Sequence, residues 1–550
     1  MIGFIELLGQ LSQGDESMAR YKHYDYRQTK MLPVSFDRQV LPGTFEYTLN
    51  YLIDEKIDLS VFEARYKNDE NGAPAYDPAI LLKIVLFAYS KGIIHSRKIE
   101  QLCRENVVCM ALSADTTPHF TTIAQFISSC SEEIAVIFRN VLLVCDEAGL
   151  IGKEMFAIDG VKLPSNASKE WSGTKADLQK KAQKIQRAME HLVAKHHAND
   201  AADYDARVHS AEVKQMATLE AAAQKIERFL ATHEDKIGRS GQPKQSNITD
   251  NDSAKAGFCS CKTCIPYVHV GHATSKGVIQ GYDAATVADS KHQVIVHAEV
   301  FGEGQEHGLL VPMLQGVRES FDELGLSKDV IKEVKITADA GYSSEANAQY
   351  LIENGIDAYV ADTLFRKRDP RFATAQRHKP TREDEPFAKP KKDGLFRPED
   401  FTPAKDLSHC ICPAGQRLHR NGANVIIDGR IGTKFRGSHR ACRDCVLRAK
   451  CLRDPQRTPY RQVVFFRGFS AKRPEKFLDK MKRKIDSALG RYEYSRRLGT
   501  IEPVFGHIRH TLKLDRFTLR GKRKVNGQWL MYCLVHNIAK LQRYGPALTA

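Results

Sequence analysis

Two short apolar runs in this chain each stop on a carboxylate: Met155-Phe-Ala-Ile-Asp159-Gly and Glu333-Val-Lys-Ile-Thr-Ala-Asp339. Short apolar runs bounded by turn formers read as buried strands, so each predicts a strand that carries an acid to its end. Residues 278–287 and 292–301 alternate in a way that predicts a strand hairpin. Residues 308–326 and 344–354 suit helices, and 357–361 another strand. Strands that are first antiparallel and then alternate with helices call for a mixed α/β sheet flanked by helices.

A third acid lies far downstream among cations, in Tyr494-x2-Arg497-x4-Glu502-x6-Arg509. Glu502 and Arg509 are seven apart, almost two helical turns, so on a continuous helix they share a face. A metal-binding acid and a phosphate-binding cation would then point into one site. The chain carries +15 overall, and residues 467–525 hold 18 basic and 6 acidic residues, a local +12. A charge run is often only a solvated surface. Here it surrounds an acid, which favours a phosphate backbone as partner.

At 550 residues the expectation is two to four domains. No apolar stretch has membrane-spanning length, and the first residues lack the basic start and cleavage site of a signal peptide. A cytoplasmic protein without a membrane partner is expected, and its thirteen cysteines then read as buried thiols or metal ligands before disulfides. Within residues 79–150 helical apolar patterns alternate with polar breaks, which suits a helix-turn-helix that docks on DNA or an ordinary helical bundle. Leu178, Ala182, Ile185, Met189 and Leu192, then Val213 to Leu230, repeat at helical spacing and predict a helical hairpin over 170–235. Residues 365–405, rich in Pro, Lys, Arg and Asp, predict an exposed excursion.

These pieces together resemble a bacterial insertion-sequence transposase of the DDE, RNase H-like class, in the insertion-sequence group numbered eleven-eighty-two. The resemblance rests on Tyr76-Asp-Pro with Leu81-Leu-Lys and Ser96-Arg-Lys-Ile-Glu, Phe156-Ala-Ile-Asp159-Gly with Asn166-Ala-Ser-Lys, Gly281-Tyr-Asp, Asp339-Ala-Gly-Tyr, and Tyr494 through Arg509. It covers about residues 30 to 542. The resemblance implies that Asp159, Asp339 and Glu502 form a metal-binding catalytic triad using Mg²⁺ or Mn²⁺. It also implies that Tyr494, Arg497 and Arg509 belong to a DNA-contacting signature, with Arg509 where lysine is common and one extra residue between Arg497 and Glu502. The implied layout is an N-terminal all-helical DNA-binding region over 1–150, an RNase H-like core over 151–365 interrupted by the hairpin, a basic cysteine-containing loop insertion over 366–460, and the rest of the core with the final acid helix over 461–550. The partners implied are double-stranded DNA, as element ends and target, and a second copy in a homodimer on DNA, associated with the bacterial nucleoid. Two other readings are a catalytically decayed, transposase-derived repressor and a structure-specific nuclease of the same fold.

The chemistry accounts for the residue types. Phosphodiester cleavage needs an activated oxygen nucleophile and a stabilised leaving oxygen, which divalent cations supply, and hard Mg²⁺ prefers a few carboxylates. Cys412, Cys442, Cys445 and Cys451 contain one close pair with zinc-like spacing, with Cys410, His409 and His439 as competing ligands for a structural Zn²⁺. Cys259, Cys261, Cys264, His269 and His272 form a tighter cluster that reads as incidental. The remaining cysteines, Cys103, Cys109, Cys130, Cys145 and Cys533, read as core thiols. Trp171 and Trp529 are candidate platforms for an extruded base, although Trp529 sits in a core-like helix.

Overall fold

The computed structural model describes residues 34–66, 74–199, 206–237, 241–257, 278–372, 395–427, 430–469 and 475–546. Its main sheet holds β1 (Met155–Pro164), β2 (Ala254–Gly257), β3 (Val278–Asp289), β4 (Ile295–Phe301), β5 (Lys335–Ala338) and β6 (Ala358–Val360). Their order is β4-β3-β1-β5-β6, with β2 sharing the outer edge of β3 alongside β4. The β1–β3 and β3–β4 pairs are antiparallel, whereas β1–β5 and β5–β6 are parallel. Met155 to Ile158 are fully buried, as a central strand covered on both faces requires. In the parallel register Ile158 stands beside Ala338, so the next residues, Asp159 and Asp339, leave neighbouring strands at the same level.

The N-terminal region is helical: α1 (Phe45–Tyr51), α2 (Pro78–Ser90), α3 (Ser96–Glu105), α4 (Val107–Leu112), α5 (Phe120–Ser129) and α6 (Ser131–Glu147). Helix α2 is buried from Leu81 through Tyr89, and even Lys83 is enclosed, its ammonium 2.6 Å from Asp54. It is a core helix and not a surface reader. Cys103, Cys109, Cys130, Cys145 and Cys533 are all buried thiols.

Between β1 and β2 lie two long helices packed on each other, α7 (Lys175–Asn199) and α8 (Ala206–Thr232). Leu178, Ile226 and Phe229 form their shared core. Trp171 packs at its base with Lys181 and Lys225 over its ring, at 4.5 and 4.6 Å from the centroid. The ring of Trp171 is thus engaged within the chain by two cations and the hairpin core, against its use as a platform for a base.

After β6 the sheet is followed by α11 (Phe477–Asp486), α12 (Ala488–Gly506) and α13 (Lys522–Tyr544), while α9 (Leu310–Glu323) and α10 (Glu345–Glu353) precede β5 and β6. Helix α13 is buried nearly all round and packs on β4 as well as on α6, α2, α5 and α1. One apolar core therefore runs from Leu82 through Trp529 and Val296 to Phe156. Trp529 is fully buried, with its indole N–H donating to Ala285 O at 3.3 Å. On the same helix the Asn537 amide accepts from Ile295 N and donates to Ile295 O, both at 2.9 Å. Those two bonds satisfy backbone groups on β4 that no further strand pairs.

The segment expected as a cysteine-containing loop insertion is not a loop region. Residues 402–469 form a five-stranded antiparallel sheet in sequential order, β7 (Thr402–Pro403), β8 (His409–Ile411), β9 (Arg417–Ile427), β10 (Arg430–Arg436) and β11 (Gln462–Phe469). Its own small core is Phe401, Cys410, Leu418, Phe435 and Val463. So few inward residues among many cations leave little apolar alternation to read, and β11 runs past residue 460.

Candidate active site

Asp159 lies within β1, and Asp339 follows β5 directly, as the cap of a short turn over Ala340–Tyr342. The Asp339 carboxylate accepts from Gly341 N at 2.7 Å, and Asp159 accepts from its neighbour Gly160 N at 2.8 Å. Helix α12 packs across β1, β3, β5 and β6 and brings the remaining residues. Its Arg497 is buried and donates from Nη1 to Asp159 Oδ2 at 2.7 Å. Glu502, a turn and a half further on, keeps an open face to solvent. Burial on its other side and the Asp159 charge push its carboxyl up, with Arg497 opposing.

Tyr494 packs edge-on against Phe365, centroids 5.0 Å apart, and its ring lies 5.8 Å from the Arg497 guanidinium carbon. Arg509 lies just beyond the end of α12. Pro503 interrupts the hydrogen bonding of α12 just after Glu502, and residues His507–Thr511 wind as a π-type turn in which Leu512 N donates to His507 O. Arg509 therefore does not belong to the same α-helical stretch as Glu502. Arg497 is the cation that reaches the acids. Glu493 is committed elsewhere, to Lys335 and Arg496.

Three further residues, which the sequence reading did not single out as site residues, adjoin the acids. Asp283 faces Lys162 across the β1–β3 pair and is fully buried, with no hydrogen-bond partner for either oxygen. Lys162 forms an ion pair with Glu306 at 2.9 Å. A Cβ on Gly160 would run into Asp283 Oδ1, and one on Gly341 would run into Glu306 and come within 2.9 Å of Asp339. Both glycines thus permit carboxylates to crowd the strand ends. For Asp283 the sequence signals are its place in Gly281-Tyr-Asp and in the middle of a strand, neither of which marks it as a site residue, and Glu306 lies in a turn-rich stretch that gives none.

Crowding sets the protonation. Burial, then Glu306, Asp159 and Asp339, push Asp283 up to about 8 against the pull of Lys162. Burial, Asp159 and Glu306 push Asp339 up to about 7, with Arg497 and the Gly341 N–H opposing. Burial disfavours the Lys162 ammonium, but Glu306 and the other carboxylates more than offset it and hold its value above the usual. A carboxyl raised in the folded state costs nothing below its unfolded value of about 4, and costs progressively more as pH rises to its folded value. Folding stability should therefore fall between about pH 4 and pH 8. Asp283→Asn should flatten that fall by about 1 kcal/mol per pH unit, measured by denaturant unfolding across the interval. An unchanged slope would show that Asp283 is not its source.

The oxygen donors of Asp159, Asp339 and Glu502 suit a hard divalent cation. Among the described residues, however, no three His, Cys, Asp or Glu side chains are arranged to hold a metal ion, and Asp159 is turned onto Arg497. Cys412, Cys442, Cys445 and Cys451 line one cavity beneath the five-stranded sheet without forming such an arrangement. Cys410 is buried in the small core, and burial pushes its thiol up to about 11. The cluster from Cys259 to His272 lies outside the described residues.

Two family models match this chain. Residues 411–542 match the one described as Transposase DDE domain, and residues 34–129 match the one described as Transposase domain (DUF772). Both matches support an insertion-sequence transposase. The first takes in Tyr494, Arg497, Glu502, Arg509 and the four cavity cysteines, and the second covers the helices from α1 through α5; Asp159 and Asp339 lie outside both. No curated protein matches the chain. No helix of the described residues is long and apolar enough to cross a membrane.

Proposed function

We propose that this chain is a transposase of the insertion-sequence group numbered eleven-eighty-two, which binds the duplex ends of its element, cuts them and joins a 3′-hydroxyl to target DNA. The observation that carries this reading is the delivery of Asp159 and Asp339 from adjacent parallel strands to a helix bearing Arg497 and Glu502. Three antiparallel strands followed by two parallel ones support an RNase H-like core.

Asp159, Asp339 and Glu502 would hold Mg²⁺ or Mn²⁺, which when bound lowers the pKa of an attacking water or hydroxyl and stabilises the leaving oxygen. Arg497 would have to release Asp159 for that set to act together. A buried guanidinium with spare donors suits a phosphate oxygen, and its Nε has no partner. The Tyr494 ring lies beside it, 5.8 Å from the guanidinium carbon. Arg509, with its own buried and unpartnered Nε, is assigned to the DNA backbone. The proposed setting is the bacterial cytoplasm, at the nucleoid, with two copies on DNA. Incubation with a plasmid carrying the element's ends and Mg²⁺ tests the reading, since failure to nick at those ends would overturn it.

Two further outcomes are expected. Duplex binding should weaken steeply with salt, with a log-log slope near −0.9 for each phosphate neutralised, in keeping with +12 over residues 467–525. A slope near zero in a salt titration would remove the basic surface from the account. The second concerns Cys412, Cys442, Cys445 and Cys451, proposed as ligands of a structural Zn²⁺, because thiolates hold that ion tetrahedrally and stabilise modules with small cores. Elemental analysis of protein prepared without chelators should find one zinc per chain, lost in Cys442→Ser. Zinc-free protein would exclude it without touching the acids.

A further inference from the structure

The five-stranded sheet has two unlike faces. Cys410 pairs with Leu418 and Phe435 with Val463, and these residues form the module's core. The alternate positions face away from it. There His409 pairs with His419, His419 with Arg436, and Arg436 with Gln462, so one polar row crosses four strands. Arg417 and Lys434 stand two residues along from His419 and Arg436 on the same face.

An antiparallel sheet with one packed and one solvated face is ordinary, and mixed charges usually cover the solvated one. This face lacks the balancing sign. None of Arg417, Lys434 and Arg436 has a carboxylate partner among the described residues; Arg436 instead lies over the Tyr460 ring, 5.1 Å from its centroid. Over residues 395–469 there are 15 Lys and Arg against 6 Asp and Glu, a net +9. Like charges on neighbouring strands destabilise a sheet, and an anionic partner turns that cost into affinity. Strands present such rows to duplex DNA in several binding modes, and a twisted sheet matches the curved duplex surface.

We propose that this face, bearing Arg417, His419, Lys434 and Arg436, is a duplex-DNA contact surface separate from the acids on the main sheet. The proposal rests on the transposase reading for its partner. It adds that the insertion clamps DNA phosphates while α12 addresses the bond to be cut.

The test uses the full chain and a labelled duplex at several salt concentrations. Arg417→Gln, Lys434→Gln and Arg436→Gln combined should weaken binding at least tenfold at fixed salt and make the log-log slope shallower by about 2 to 3, from about 0.9 per lost contact. Arg436→Gln alone should remove about one. A control combining Arg318→Gln, Lys328→Gln and Lys332→Gln makes the same charge change near α9 and should leave the slope in place. The substituted side chains are outside the module's core, so thermal unfolding should be unaltered. Wild-type slope in the triple variant, or an equal loss in the control, overturns the proposal while sparing the transposase reading. A wild-type chain that binds no duplex at any salt overturns both.

Discussion

Asp159→Asn, Asp339→Asn and Glu502→Gln should each reduce DNA cleavage and strand transfer by at least about a thousandfold, or roughly 4 kcal/mol of barrier, while duplex binding stays within a few fold. Each substitution keeps side-chain volume and removes the charge that holds a divalent cation. Binding is expected to survive because the cations proposed to carry it lie on other positions of α12, on α11 and on the five-stranded sheet. Arg497→Ala should cost less, because the loss of a phosphate contact is partly offset by freeing Asp159 from its 2.7 Å ion pair. The measurement is a time course of nicking with Mg²⁺ and with Mn²⁺, on protein cleared of contaminating nuclease. Normal cutting by Glu502→Gln would sink the assignment of that residue. Glu306 and Asp283 would then be the next acids to replace, since Glu493 is already paired with Lys335 and Arg496.

Trp529→Ala should destabilise the whole chain by about 3 to 5 kcal/mol, the usual cost of emptying a large aromatic site in a core. The indole is fully buried, meets Phe517 edge-on at 6.4 Å between centroids, and gives its N–H to the backbone of β3. Truncation leaves a cavity where α13 meets the sheet and removes the indole's bond to the Ala285 carbonyl. Trp529→Phe, which keeps a ring but loses the hydrogen bond, should cost about half as much. Denaturant unfolding of the two variants gives both numbers. A loss below about 1 kcal/mol for Trp529→Ala would show that the N-terminal helices and the sheet do not depend on one core.

Much of the sheet around the acids is legible in the chain because it depends on local patterns. The strands that carry Asp159 and lead to Asp339 follow from short apolar runs, and the hairpin of β3 and β4 follows from alternation, but β1 runs on through Asp159 to Pro164 instead of ending there. Long-range facts are harder to read. Nothing local indicates that Asp283 is enclosed beside Gly160, because the space comes from the absence of a side chain on another strand. The helical arithmetic for Arg509 assumes an unbroken α-helix, and it overlooks the consequences of Pro503 and the π-type turn beyond it. The five strands of the insertion escape notice because a core of five buried side chains is too small to impose a pattern on a cationic segment. The all-round burial of α2 is, by contrast, foreshadowed by an apolar run over residues 79–89 that only Lys83 interrupts.

The placement of α13 has a consequence for how the molecule comes into being. A chain emerges from the ribosome in order, and a folding unit completes only when all its layers are available. Helix Lys522–Tyr544 follows every strand of the sheet, yet it supplies the layer that joins β4 to the helices of the first 150 residues. Those early helices must wait, with apolar surface uncovered, for almost the whole length to be made. A message cut short before that helix gives a product with no completed core, so partial copies of the gene should yield chains destined for proteolysis and not fragments that compete for DNA.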